Sequence, residues 1–410
     1  MKKAGIINIG NELLSGSSFD TNSAHLCEKL LAIGIPVVMI HTAGDDCEQI
    51  VKAFRLVSSE ADIILITGGL GPTDDDITRQ ALSTYSGKEL VLNKEALGDI
   101  EKFYSSRNRQ MPQRNTVQAY IPQDAKVIKN EIGTAPGIML VDNGKLFFAM
   151  PGVPVEMKLM YEQTVEPELI KLKNRKAIAI RKLKCYGMGE SNIAELLGDR
   201  MRRGREPLVN ITVRDGVITL HIIATADDKT QADSAAKTEQ REIAEILGDI
   251  VFADEESSLA EAVGRELTEK NKTVAVAESC TGGLISKLLT DVPGASNYFL
   301  CAWVAYSNDV KIRELGIEPG LIEKKGAVSA EVAAAMAEGA RRRAGADYAL
   351  GITGIAGPVG STADKSVGLV YISAAGEGET RTQKYQFSGD RESVRKRAAN
   401  AALDLLRRVI

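Results

Sequence analysis

The stretch Asp62-Ile63-Ile64-Leu65-Ile66-Thr67-Gly68-Gly69-Leu70-Gly71-Pro72-Thr73-Asp74-Asp75-Asp76-Ile77-Thr78 decides the fold of the first third of the chain. It opens with a short apolar run of the kind that forms a buried strand. Gly68, Gly69 and Gly71 follow, then three consecutive aspartates. Glycines directly after a strand let the backbone approach an anion, and their N–H groups bind phosphate. Carboxylates beside phosphate suit a bridging divalent cation. The alternative is a tight strand-to-helix turn with aspartate caps. Three aspartates at the carboxyl end of a strand favour a ligand, because open α/β sheets bind ligands there.

The same rhythm repeats upstream. Ala4 to Ile9 reads as a strand, and Asp20 caps a helix carrying Ala24, Cys27, Leu30 and Leu31 on one face. Pro36 to Ile40 reads as the second strand and Asp46 to Val57 as a helix. The expectation is a parallel sheet with helices on both faces, closing with a helix from about Pro154 to Lys173. The loops after the first two strands, Gly10-Asn11-Glu12 and Gly44-Asp45-Asp46, then share a rim with the glycine loop. Asp46 reads as a helix cap, whereas Glu12 and Asp76 read as ligand-facing.

The 410 residues imply two to three domains. Hydrophobic residues at 44% and charged residues at 26% fit a soluble globular protein. A net charge of -4 and 5% aromatics, with Trp303 the single tryptophan, argue against a cationic, base-stacking nucleic-acid platform. Five cysteines, odd in number and without a CxxC pair, fit free thiols in a reducing compartment. Asn8, Asn11 and Glu12 break the apolar run after Met1-Lys2-Lys3, so the start reads as a strand and not a signal peptide. No apolar run reaches the roughly 20 residues of a membrane span. The expected location is the cytoplasm, with no membrane partner.

A basic patch, Lys171 to Lys176, reads as a linker. Residues 177–250 then read strand, helix, hairpin, helix. Asp215-Gly216 is the hairpin turn between the alternating runs Val209-Ile211-Val213 and Ile218-Leu220-Ile222. Arg200, Arg202, Arg203 and Arg205 form a local basic cluster, which is usually a solvated face. An acidic stretch, Asp254-Glu255-Glu256, precedes a helix opened by Ser258 and Glu261 in capping-box spacing, with Leu259, Val263 and Leu267 as its buried stripe.

Four loops of the last segment carry chemistry: Ala277 to Gly283, Ala305 to Lys311, Gly351 to Pro358, and Gly389-Asp390-Arg391 with Arg395. The histidines are His25, His41 and His221, none of them in this segment, so a Ser-His or Cys-His site within it is excluded. A serine nucleophile needs another base, and a lysine with a lowered pKa serves. Lys311 is best placed, close to Tyr306. Ser279, Cys280 and Ser296 are the candidate nucleophiles, with Ser279 preferred and Cys280 third. Arg391 and Arg395 open a helix where cations oppose the dipole, which a bound anion would resolve.

Thr67 to Thr78, with Asp76-Ile77-Thr78, resembles the signature of MoaB/MogA-type molybdopterin-binding domains. Gly133-Thr134-Ala135-Pro136-Gly137 and Met150-Pro151-Gly152-Val153-Pro154-Val155-Glu156-Met157 resemble the CinA family, the competence/damage-inducible proteins. The resemblance implies an α/β chain in three parts. Residues 1–172 would be a MoaB/MogA-like parallel-sheet domain associated with metal-dependent ADP-ribose pyrophosphatase activity. Residues 173–253 would be a small α+β KH-like module, and residues 254–410 an α/β/α nicotinamide mononucleotide deamidase domain. Gly187-Met188-Gly189-Glu190 lacks the GXXG loop of a nucleic-acid-binding KH domain, so the module reads as a spacer or dimer contact.

The resemblance further implies a nicotinamide-nucleotide amidase that releases ammonia in pyridine nucleotide salvage. The residues themselves, not the resemblance, suggest the roles: Ser279 or Ser296 attacks, Lys311 takes the proton, Tyr306 relays or donates a proton to the leaving ammonia, and Thr353 positions the carboxamide. Thr281, Gly282, Gly283, Asn308, Gly354, Gly357, Arg391 and Arg395 would bind the substrate, without a cofactor. In the first domain Glu12, Gly68, Gly69, Gly71, Thr73 and Asp76 would hold a nucleotide diphosphate, with Asp76 and Asp45 at a divalent metal (Mg, Mn or Co). A homodimer is expected, and direct nucleic-acid binding is not. The rival readings are a non-catalytic binding protein of competence or recombination, and a first domain whose ligand is molybdopterin.

Overall fold

The structure, a computed structural model, describes residues 2–172, 176–254 and 256–410. Lys173, Asn174 and Arg175 of the basic patch, the first of which opens the expected middle segment, lie outside the described residues, as does Glu255 of the acidic stretch. The chain forms two compact units, Met1–Ala179 with Ala224–Ser234, and Ile180–Ile223 with Ala235–Ile410.

In the first unit, β1 (Ala4–Ile9), β2 (Val37–Ala43) and β3 (Ile63–Thr67) are parallel neighbours. They are connected by α1 (Thr21–Ala32), capped by Asp20, and α2 (Cys47–Glu60), capped by Asp46. α3 (Thr78–Ser86) follows the glycine loop. Alternation along the strands serves both faces. Ile7, Ile9, Ile64 and Ile66 pack with Ile50, Phe54, Val57 and Leu82 on one side. Ala4, Ile6, Ile63 and Leu65 pack with Leu26, Leu30, Met157 and Tyr161 on the other. Burying each of these aliphatic side chains contributes about 1.5–3 kcal/mol.

Three details differ from the sequence reading. The sheet is mixed, not all parallel: β4 (Lys126–Ile128), β5 (Gly137–Asp142) and β6 (Lys145–Met150) give the order β2-β1-β3-β6-β5-β4, with antiparallel pairs β5/β6 and β4/β5. Asn143 and Gly144, both at positive φ, turn the β5/β6 hairpin. On α1 the buried residues are Asn22, Ser23, Leu26 and Leu30, whereas Ala24 is exposed. The helix begun at Pro154 is interrupted by a π-helical turn at Tyr161–Val165 and ends at Ile170. Pro167 lies just beyond that turn and lacks the N–H of a regular ladder.

The middle sheet is built from β7 (Ala177–Cys185), β8 (Leu208–Arg214), β9 (Val217–Ala226) and β10 (Val251–Ala253), in the order β8-β9-β7-β10. The β8/β9 hairpin pairs Val209 with Ile222, Ile211 with Leu220 and Val213 with Ile218. Arg200 and Arg205 bind Glu239, and Arg202 binds Asp199, so this basic cluster is largely neutralised within its own module.

The last domain carries α4 (Leu259–Glu269), β11 (Val274–Glu278), α5 (Leu284–Thr290), β12 (Phe299–Val304), α6 (Asn308–Leu315), α7 (Ala330–Ala344), β13 (Tyr348–Gly354), β14 (Leu369–Ala375), β15 (Thr380–Gln386) and α8 (Arg391–Arg407). Its sheet order is β12-β11-β13-β14-β15, parallel among the first three strands. Val274, Val276, Leu350 and Ile352 pack against α4 and α8, while Ala275, Ala277 and Ala349 pack against α7. Ser258 and Glu261 form the capping box of α4. The middle module touches α8: Asn400 Nδ2 donates to the Asp215 carbonyl at 3.0 Å, and Arg407 Nη2 to the Asp249 carbonyl at 2.7 Å. Tyr186 is part of the last domain's core, with Val217 and Phe252 packed against it. Among the described residues no helix is long and apolar enough to cross a membrane.

Candidate active sites

The carboxyl ends of the parallel strands β11, β12 and β13 bring together the loops of the last domain. Glu278 ends β11, fully buried, and its carboxylate accepts the N–H groups of Gly283 (2.9 Å), Ile285 (3.2 Å) and Ser286 (2.9 Å) together with the Ser286 hydroxyl. An acidic side chain thus fills the amino end of α5, where unpaired N–H groups and the helix dipole favour negative charge. This corrects the expectation for Gly283: its N–H is spent on Glu278. The N–H groups of Cys280 and Thr281 turn toward the Cys280 sulfur.

Lys311, 1% exposed on α6, places Nζ 3.2 Å from Ser279 Oγ and 3.0 Å from the Tyr306 carbonyl. It makes no ion pair among the described residues. Burial disfavours the ammonium and holds its pKa below the ordinary 10.5. A lysine poised toward the neutral amine, in contact with a serine hydroxyl, is a general-base arrangement. Cys280 is its opposite. Burial, with Glu278 adding to it, pushes its thiol up to about 12, so it is a protonated core side chain and a poor nucleophile.

Ser296 is exposed in the turn Ala295–Asn297, ahead of the amino end of β12. Ser279 follows the carboxyl end of the parallel neighbour β11, and Lys311 follows the carboxyl end of β12 itself. A six-residue strand spans about 20 Å, so Ser296 stands at the wrong end of the sheet to meet Lys311. Tyr306 meets Lys311 through its carbonyl, not its phenol. Tyr306 is 61% exposed, and its phenol accepts from Arg391 Nη2 at 3.2 Å. Thr353 is buried and donates its hydroxyl to the Ala327 carbonyl at 2.7 Å, which makes it a loop tie.

Two arginines of α8 hold loops of this site. Arg395 donates to the Thr281 carbonyl from Nε and Nη2. Arg391 Nη1 donates to the Gly357 carbonyl at 2.7 Å. A Cβ on Gly282, at φ +59°, would stand 3.3 Å from Arg395 Nη2, and one on Gly354 would meet the β14 backbone. Asn308 is exposed at the start of α6. Thr281 is fully buried, yet its hydroxyl has no hydrogen-bond partner among the described residues. An unpaired buried hydroxyl of this kind is paired by a ligand or water.

In the first unit a cavity of about 400 Å³ opens at the strand ends, lined by Glu12, Asp45, Gly68 to Pro72, Asp75, Asp76, Thr134 and Glu156 among others. Five of its lining residues are acidic and none is basic. Asp45 accepts the Asn11 N–H at 2.9 Å, joining the first two rim loops. Asp76 accepts the Thr73 N–H and hydroxyl, which ties Thr73 to the loop. A Cβ on Gly71 would collide with Asp76, and one on Gly68, at φ +103°, with the Ile9 carbonyl. Among the described residues no three carboxylate, imidazole or thiolate groups gather closely enough to hold a metal alone. Asp45 and Asp76 therefore fit a hard cation only if a bound ligand's oxygens and water complete its shell.

Sequence reasoning missed Glu278 and Arg79. Glu278 shows a signal, an acid after an apolar strand with a serine eight residues on. Arg79 does not, because an arginine early in a helix ordinarily faces solvent.

Family models cover the chain in three consecutive segments: a probable molybdopterin binding domain over residues 5–171, the damage-inducible protein CinA KH domain over 180–253, and the CinA C-terminal domain over 256–410. A putative competence-damage inducible protein of Halothermothrix orenii is 42% identical over 393 residues, 96% of this chain and 95% of the relative. Another from Caldicellulosiruptor saccharolyticus is 40% identical over 407 residues, 99% of each chain. Among solved structures, the competence/damage inducible protein CihA of Agrobacterium tumefaciens shares 37% identity, covering 36% of this chain and 91% of its own, with a TM-score of 0.36. The glycine loop of the first unit and the serine–lysine pair of the last domain thus lie in a chain that matches its relatives from end to end, and this chain belongs to the CinA family.

Proposed function

We propose that the last domain is an amidohydrolase that converts nicotinamide mononucleotide to nicotinate mononucleotide and ammonia. The observation that carries this reading is the buried contact between Lys311 Nζ and Ser279 Oγ. Neutral Lys311 takes the Ser279 proton as Oγ bonds to the carboxamide carbon. A tetrahedral oxyanion results. Collapse breaks the C–N bond, and the proton held by Lys311 goes to the departing nitrogen, which leaves as ammonia. Water then attacks the ester carbon, giving its proton to Lys311. The second collapse frees nicotinate mononucleotide, and the proton returns to Ser279.

Arg391 and Arg395 each keep N–H groups beyond those spent on loop carbonyls, and these suit the ribose phosphate. The test is ammonia release from nicotinamide mononucleotide by the full chain and by its Ser279→Ala and Lys311→Met variants. Release by the parent and loss in both variants supports the reading. Release that survives Ser279→Ala refutes it.

A second reading concerns the first unit and rests on its acidic, glycine-rimmed cavity. We propose that it binds a nucleotide diphosphate of the ADP-ribose type and hydrolyses it with a divalent cation. Asp45 and Asp76 would hold the cation together with ligand oxygens, and it would supply the positive charge that the cavity lining lacks. The loop N–H groups bind the diphosphate, and Thr73 stays fixed by Asp76. Hydrolysis of ADP-ribose with and without added cation tests this.

A further inference from the structure

Arg79 is the second residue of α3 and is 2% exposed. It forms no ion pair among the described residues. A buried guanidinium without a carboxylate partner is costly unless its donors are satisfied otherwise. Here they go to carbonyls of the glycine loop. Nη1 donates to Leu70 at 2.6 Å, and Nη2 donates to Gly71 at 3.0 Å and to Asp76 at 3.2 Å. The adjacent Thr78 extends the pattern. Its hydroxyl donates to the Gly68 carbonyl at 2.8 Å, and its N–H to the Gly69 carbonyl at 3.1 Å.

Four consecutive carbonyls, those of residues 68 to 71, are thus drawn toward α3. The peptide bonds of this loop are trans, and a trans peptide sets the following N–H opposite its carbonyl. The N–H groups of Gly69, Leu70 and Gly71 therefore turn away from α3. None has an acceptor among the described residues, and all three residues line the cavity. Successive outward N–H groups form an anion-binding concavity.

We infer that Arg79 is a positioning residue that builds this concavity for a diphosphate, orienting its N–H groups through their carbonyls and placing a fixed positive charge behind them. The ligand class rests on the second reading above, whereas the loop architecture does not. The guanidinium fork matches spread acceptors that a lysine ammonium cannot span together.

The test uses the full chain, with inorganic pyrophosphate and magnesium as the probe. In Arg79→Lys the affinity for pyrophosphate should fall about tenfold or more, a loss of about 1.4 kcal/mol or more. Hydrogen exchange at Thr78, whose N–H is held by the Gly69 carbonyl of the loop, should quicken, while ammonia release by the last domain should not change. Free guanidinium should partly restore pyrophosphate binding to Arg79→Ala, which a general loss of packing would not allow. Unchanged affinity together with unchanged Thr78 exchange in Arg79→Lys would overturn the inference. If the parent binds no pyrophosphate, the diphosphate reading fails, and Thr78 exchange in Arg79→Lys still decides the role of Arg79. The unmodified chain gives a check free of any folding defect: pyrophosphate should protect the amides of Gly69, Leu70 and Gly71. Binding that leaves these three unprotected overturns the inference.

Discussion

Arg395 grips the carbonyl of Thr281 with two N–H groups, Nε at 3.1 Å and Nη2 at 2.7 Å. One end of α8 thereby holds the turn that carries Ser279, and the remaining guanidinium edge is the one that the proposed phosphate contact would use.

Arg395→Ala should therefore weaken two things at once, the turn and the phosphate contact. Arg395→Lys keeps the charge but cannot reproduce the paired contact. We expect Arg395→Lys to lower kcat/KM for nicotinamide mononucleotide about tenfold, and Arg395→Ala to cost about 2–4 kcal/mol of transition-state stabilisation. Nicotinamide riboside, which lacks the phosphate, separates the roles. An equal loss on both substrates shows that Arg395 acts on the turn alone.

Ser279→Ala should abolish ammonia release and leave the melting temperature within a few degrees, since it removes one hydroxyl. Cys280→Ala and Ser296→Ala should each keep turnover within about threefold, because neither side chain has a role in the transfer. Inactive Ser296→Ala with active Ser279→Ala would reverse the assignment.

The pH profile of ammonia release should ascend with a midpoint below 10.5, because burial lowers the Lys311 pKa from that ordinary value. The same shift has a stability sign. Between the folded and unfolded pKa values the unfolded chain binds more protons, so this group makes stability rise with pH across that window. Below the folded pKa the penalty for a buried ammonium is present in full. Lys311→Met should abolish turnover yet hold or raise the melting temperature at neutral pH, with any gain shrinking toward pH 10.5. A large fall in melting temperature would show that the lysine is a structural ammonium.

Asp76→Asn should remove ADP-ribose hydrolysis by about two orders of magnitude or more and leave ammonia release intact. A chelator should have the same selective effect on the parent chain. Full hydrolysis of ADP-ribose in the chelator would refute the metal role.

Local signals survive translation into structure well here. β1 has the bounds that its apolar run predicts, and the Asp215-Gly216 turn sets the register of β8 against β9. Asp20, Asp46 and Ser258 cap helices where cap spacing placed them. One local signal went unread: Asn143-Gly144 between apolar runs is a hairpin turn in its own right, and it reverses the sheet direction at β5/β6. Side-chain destinations were hidden. Tyr306 sits where chain proximity to Lys311 put it, but backbone geometry brings its carbonyl to the amine and sends its ring outward. Ser296 is near Tyr306 in sequence only through a strand whose length separates them.

The contact of the middle module with α8 bears on how this chain can be dissected. Asn400 and Arg407 meet backbone carbonyls of the middle module, and Tyr186 belongs to the apolar core of the last domain. A cut before Ser257 would strip Tyr186, Val217 and Phe252 from that core and leave a greasy flank along the helix that carries Arg391 and Arg395. The excised fragment should be stickier and less heat-resistant than the parent, so a poor yield from it would reflect a wounded surface rather than defective chemistry. A shorter relative made only of this last domain has to dress that flank with polar side chains or cover it with another chain.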